Sequence, residues 1–120
     1  MTTDAAGQVQ QALETLRAEL DDRIRRFDDT LVELRADRGA ETADDEHDPE
    51  GATLSAEWSR LAGLRADAAR ERDEVDAALA RTGTEGFGIC ADCGAPIPLA
   101  RLVARPTATR CVPCATRAGA

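Results

Sequence analysis

Four cysteines constrain the fold of this chain more than any other feature. Cys90, Cys93, Cys111 and Cys114 form two C-x2-C pairs with seventeen residues between them. Two residues inside each pair let a tight turn aim both sulfurs at one point, and thiolate is a soft donor suited to zinc. One such pair alone is compatible with a redox dithiol. Two pairs close a tetrahedral shell and leave no open coordination position, so the expected group is one structural Zn²⁺ per chain held by Cys90, Cys93, Cys111 and Cys114. The flanking residues agree: Gly94 follows the second ligand, where a knuckle needs left-handed backbone, and Pro113 lies inside the second pair.

The rest of the chain has helical periodicity. Val9, Leu13, Leu16 and Leu20 recur at coiled-coil spacing, and Ile24, Phe27, Leu31 and Leu34 continue the stripe after a one-residue slip. No proline interrupts residues 5–37, and Gly39 is expected to end this first helix. A second seam runs through Leu54, Trp58, Leu61, Ala68, Val75 and Leu79. Asp48 suits the N-cap, Pro49 the first helical position and Glu50 the first turn, which predicts a helix from Pro49 to Arg81. Two helices of similar length joined by a short polar stretch bury their stripes most simply by pairing antiparallel. At ~1.5 Å per residue each is on the order of 50 Å long. The same seams are compatible with helices pairing between chains.

Composition supports an elongated shape. Phe27, Trp58 and Phe87 are the only aromatics in 120 residues, too few for a thick multilayer core. The expected fold is mostly α: a long antiparallel helical hairpin over residues 1–85, with an acidic tip at about 38–50, and then a four-cysteine zinc module over 86–120 with a short C-terminal helix. Gly83, Gly86 and Gly88 read as the joint, with Phe87 and Ile89 packing the module against the hairpin base.

The net charge of −8 is unevenly distributed. Residues 1–85 carry 11 Arg against 22 acids, a balance of −11, while residues 86–120 carry four Arg and one acid, a balance of +3. Seven acids and one Arg fall between Asp37 and Glu50. Nonspecific nucleic-acid binding needs a basic face that releases counterions, and the acidic part would repel a phosphate backbone. No apolar run approaches the ~20 residues of a membrane span, and the N-terminal MTTDAAGQ lacks the basic start and apolar stretch of a secretory signal, so a cytoplasmic location is expected. No nucleophile triad, HExxH or phosphate-cradling loop is present, so an enzyme is not expected. His47, the single histidine, lies at the tip, too far from the cysteines to complete their site.

The stretch from Gly86 to Gly94 (GFGICADCG), with Ile97-Pro98, Arg101-Leu102, Ala104-Arg105-Pro106-Thr107 and Cys111-x-x-Cys114, resembles the zinc-finger signature of the DksA/TraR family. The resemblance implies a transcription regulator that binds bacterial RNA polymerase directly, without sequence-specific DNA contact. In that family the hairpin enters the secondary channel and brings its acidic tip towards the active centre. The family tip, approximately Asp-Pro-x-Asp-x-Ala, corresponds here to Asp48-Pro49-Glu50-Gly51-Ala52. Asp48 is the matching acid, Glu50 substitutes for the second, Ala52 takes the alanine position in a tip one residue shorter than the family pattern, and Asp44, Asp45 and Glu46 are extra acids beside them.

Family members that respond to guanosine tetraphosphate place basic residues on the second helix towards the zinc end. This chain has Asp67, Arg70, Glu71, Arg72, Asp73, Glu74 and Asp76 there, which predicts weak or absent dependence on that nucleotide. A monomer is expected. Two other functions stand beside this one: a zinc-ribbon nucleic-acid binder using Arg101, Arg105, Arg110 and Arg117, and an adaptor whose coiled coil is the interaction surface.

Overall fold

The computed structural model describes residues 1–41 and 49–119, with helix backbone alone for 38–41 and 49–52. Four helices follow in chain order: α1 (Thr3–Glu41), α2 (Pro49–Arg81), α3 (Leu99–Ala104) and α4 (Val112–Arg117). Among the described residues the extended pairing is a single antiparallel bridge between Ile89 and Pro96. No described helix is long and apolar enough to cross a membrane.

Thr2 starts α1, its hydroxyl accepting the Ala5 N–H at 3.1 Å and its carbonyl the Ala6 N–H at 2.9 Å. The helix passes through Gly39 to Glu41, beyond the expected stop. Glycine in a helix interior costs about 1 kcal/mol relative to alanine, which hinders a helix without forbidding it, and Ala40 and Glu41 after it are good helix formers. α2 spans Pro49–Arg81 as its sequence predicts. The proposed cap Asp48 lies outside the described residues.

By packing, the chain divides into two units, Met1–Ala18 with Asp73–Ala120, and Glu19–Arg72. In the second unit Leu20, Ile24 and Leu31 of α1 and Leu61 and Ala68 of α2 are buried. Three contacts flank that core. Arg72 Nη1 donates to Asp21 Oδ1 at 3.2 Å, Arg65 Nε to Asp28 Oδ1 at 2.5 Å, and Arg35 Cζ lies 5.4 Å from the Trp58 ring centroid. Each step of seven residues forward along α1 is matched by seven backward along α2, which fixes an antiparallel heptad register. Arg65 and Arg72 stand at the four-three spacing of the α2 seam itself, on either side of Ala68. The apolar pattern passes over them because both are half-buried arginines whose heads reach acids on α1.

In the first unit Val9, Leu13, Val75, Ala78 and Leu102 are fully buried, and Arg17 Nε donates to Asp76 Oδ1 at 2.6 Å. Two expectations are corrected there. Ala78, not Leu79, is the covered residue near the end of α2, while Leu79 is half-buried. α2 is flanked at that level by the metal module as well as by α1, since Glu74, Ala77 and Arg81 line one cleft with module residues, and the covered strip shifts accordingly. Phe87 is buried as expected, whereas Ile89 is 41% exposed, its backbone occupied by the bridge to Pro96 and its side chain partly in solvent.

Candidate metal centre

The first two cysteines sit on a hairpin-like turn. Cys90 N–H donates to the Ala95 carbonyl at 2.8 Å, Gly94 N–H to the Cys90 carbonyl at 3.0 Å, and Ile97 N–H to the Gly88 carbonyl at 2.7 Å. Closing so tight a turn requires positive φ at Gly94, which has φ +75°. Gly88 has φ +84° and is crowded besides: a Cβ there would collide with the Met1 side chain and touch Leu102. The other pair opens α4. Cys111 is its N-cap residue, Pro113 lies in the first turn where its missing N–H is harmless, and Cys114 follows on the buried side.

Two contacts join the pairs. Ala91 N–H donates to the Thr109 carbonyl at 2.8 Å. Arg110 Nε lies 2.8 Å from Asp92 Oδ2 as an ion pair, although the N–H is not aligned on that oxygen and makes no hydrogen bond. Arg101 Nε donates to the Arg110 carbonyl at 2.8 Å, so α3 steadies the segment entering Cys111. α3 was not anticipated from the sequence, although Pro98 before the helix-favouring LARLVA run is a start signal.

The four sulfurs lie within 4.8 Å of one another. Those of Cys93 and Cys111 are 3.7 Å apart and all four thiols are free. A disulfide needs about 2.05 Å, whereas a tetrahedron with zinc–sulfur bonds of about 2.3 Å has an edge of about 3.8 Å. Ionisation favours the same reading. Backbone amides of Cys93 and Cys111 lower the Cys90 thiol to about 6, while hydrogen bonding with Cys111 and burial raise Cys114 to about 12. Four crowded thiols cannot all ionise unaided, and a bound dication removes that conflict. The donor set fits one closed, structural Zn²⁺ site of Cys90, Cys93, Cys111 and Cys114, which supplies folding energy rather than reactivity.

Beside the centre, Glu74 and Arg81 of α2 and Arg101, Arg105 and Arg110 of the module line a cleft of about 400 Å³. Charge read along α2 alone misses this, because three of the four arginines arrive from a distant part of the chain. Of the tip residues, Asp44, Asp45 and Asp48 lie outside the described residues, as does His47. Glu50 and Ala52 fall in the first turn of α2, where the description is of backbone.

Residues 85–118 match the family model of the prokaryotic dksA/traR C4-type zinc finger. Over 45 residues, 38% of its length, the chain is 44% identical to the RNA polymerase-binding transcription factor DksA of Haemophilus influenzae, and this stretch spans 31% of that relative. The corresponding Escherichia coli K12 protein is 42% identical over 45 residues, 30% of its length. These matches therefore cover less than a third of the relatives. A solved structure of transcription factor DksA2 from Pseudomonas aeruginosa is similar over 99% of this chain and 86% of that one, with a TM-score of 0.81 and 29% identity. Residues 85–118 thus carry a zinc finger of the dksA/traR C4 type, and the fold of the chain is similar to that of a DksA2 transcription factor.

Proposed function

We propose that this protein binds bacterial RNA polymerase directly and modulates transcription initiation by inserting the α1–α2 hairpin, acidic tip first, into the polymerase secondary channel. The observation that carries this is the whole-chain likeness to a DksA2 transcription factor, since it extends from the zinc finger through the hairpin that would have to enter the channel. The acids Asp44, Asp45, Asp48 and Glu50, with Ala52, would act at the polymerase active centre. Residues 1–85 serve as the probe and 86–120 as its zinc-bound base, working in the cytoplasm as a monomer without sequence-specific DNA contact and with weak or no dependence on guanosine tetraphosphate.

The charge of the hairpin supports a protein channel lined with positive residues over a nucleic-acid partner. The test is co-purification of polymerase with the tagged full-length chain, followed by crosslinking from position 48. Crosslinks to the interior of the secondary channel are expected; polymerase bound with crosslinks confined to its outer surface would exclude insertion.

One observation favours the second reading, a nucleic-acid-binding module: Arg81, Arg101, Arg105 and Arg110 line the same cleft. It requires gel-shift affinity for DNA or RNA that falls steeply with salt. Polymerase binding without such affinity separates the two.

A further inference from the structure

The two buried sulfurs of the metal centre are provided for differently. Cys90 is 2% exposed and Cys114 is 4% exposed, whereas Cys93 is exposed and Cys111 half-buried, so water can solvate the latter two. A four-thiolate zinc centre carries about two negative charges beyond the metal. Each buried sulfur therefore needs donors from the protein, because an unsatisfied charged acceptor away from water is expensive. Backbone amides of Cys93, Cys111 and Asp92 stand around Cys90 and favour its thiolate. Cys114 sits one position after Pro113, which has no N–H, and the donor the structure gives its sulfur is not an amide of the knuckle.

Its donor is a side chain. Arg117 stands three residues after Cys114 on α4, where helical spacing puts the two on one face and long side chains lean back towards the N-terminus. Arg117 Nη2 donates to Cys114 Sγ at 3.3 Å. The end of the helix holds the arginine there: Ala118 N–H returns to the Cys114 carbonyl at 3.0 Å, and Gly119 turns the chain at φ +77° directly afterwards. Arg110, the other guanidinium next to the centre, is engaged by Asp92.

We propose that Arg117 is a positioning residue of the metal centre, donating a charge-assisted N–H···S hydrogen bond to the Cys114 thiolate and thereby doing for that buried ligand what backbone amides do for Cys90. It ligates nothing itself. Its effect is to lower the electron density on one sulfur, hold that sulfur at its corner of the tetrahedron and offset part of the excess negative charge. Partners of this kind change metal affinity by about 10- to 100-fold when removed. This inference rests on zinc occupancy and not on the polymerase reading, so failure of either leaves the other standing.

The test uses the full-length chain with Arg117→Ala, Arg117→Lys and, as a control of equal charge change away from the sulfurs, Arg105→Ala. Zinc affinity is measured by competition with a chromogenic chelator. Cobalt(II) substituted for zinc reports the sulfur-to-metal charge-transfer band. Arg117→Ala is expected to weaken zinc about 10-fold or more and to move the band to lower energy, because a thiolate without its hydrogen bond gives up charge more readily. Arg117→Lys restores most of both, and Arg105→Ala changes neither. A band unmoved in Arg117→Ala, or an equal loss of affinity in Arg105→Ala, overturns the proposal. Should the alanine variant fail to retain metal, an Arg117→Lys protein with an unshifted band and native affinity supports it, and one as weak as alanine defeats it.

Discussion

Arg65 holds Asp28 across the helical hairpin with two parallel hydrogen bonds, Nε to Oδ1 at 2.5 Å and Nη2 to Oδ2 at 3.3 Å. This fork-to-fork geometry gives more directional specificity than a single point contact. The hydrogen bond to Arg65 holds the Asp28 carboxyl below its ordinary value of 3.8 and raises the Arg65 guanidinium in turn. A carboxyl depressed on folding stabilises the fold above its unfolded value and loses that contribution as pH falls through the folded one. The pair should therefore support the hairpin at neutral pH and release it only in acid below about pH 4. Carboxyl-detected NMR titration checks this: Asp28 should titrate below 3.8 in the native chain and return to the ordinary range in Arg65→Ala. An Asp28 that titrates identically in both proteins would show that the pair is not made in solution.

Seam burial predicts contrasting effects for two aliphatic residues of α1. Leu20 is 0% exposed and Val32 is 68% exposed. Leu20→Ala should cost about 2–5 kcal/mol through lost burial and the cavity left behind. Val32→Ala should change stability by no more than about 0.5 kcal/mol. Urea unfolding followed by circular dichroism measures both, and equal midpoints for the two variants would place the seam elsewhere.

Much of this architecture is written in the sequence because its signals are local. The C-x2-C pairs, Gly94 after the second ligand and Pro49 at a helix start each act within a few residues, and each lies where its local chemistry predicts. What escaped the sequence depends on partners far along the chain. Arg65 and Arg72 occupy seam positions only because Asp28 and Asp21 face them, 37 and 51 residues away. The arginine-lined cleft exists only once Arg81 meets Arg101, Arg105 and Arg110. Arg117 stands between these cases: its spacing from Cys114 is legible, but that Cys114 is buried and accepts its guanidinium N–H is known only from the fold.

Metal removal should separate the two parts of the helical structure. α3 and α4 hold six residues each, against 39 in α1 and 33 in α2, so chelation at neutral pH should leave most of the far-ultraviolet helical signal intact. Amide exchange is expected to accelerate across residues 86–118, above all at the N–H groups of Cys90 and Gly94, whose bonds close the first knuckle, and of Ala91, whose bond to Thr109 joins the two pairs. Re-addition of Zn²⁺ should restore protection. A module that stays protected without metal would remove the structural role of the zinc site.

If this cleft takes guanosine tetraphosphate, the response is expected to turn on Glu74. The cleft places this carboxylate among Arg81, Arg101, Arg105 and Arg110, so the repulsion expected from α2 is opposed by guanidinium groups from the module. Because a polyphosphate would have to tolerate the carboxylate, a weak response is expected from the native protein and a stronger one from Glu74→Gln. Transcription on a defined promoter, titrated with the nucleotide, measures both. A strong response from the native protein, unchanged by Glu74→Gln, would mean that the arginines dominate.

The acidic tip should matter to the transcriptional effect and not to the fold. Asp48 directly precedes α2 in sequence and Glu50 is its second residue, both far along the chain from the residues found buried, so Asp48→Ala with Glu50→Ala is expected to spare the core. The cost expected from the sequence reading of Asp48 as a cap is about 0.5–2 kcal/mol, with about 0.3–1 kcal/mol for a favourable charge in the first turn. These are local losses that leave the seam from Leu61 onwards in place. The double variant is expected to keep its helicity, its zinc and its affinity for polymerase while losing its effect on initiation in a purified transcription assay. Measuring binding and activity on one preparation distinguishes the outcomes. Loss of both would locate the contribution of these acids in docking, and full activity with native binding would show that the hairpin works without its two best-matched tip acids.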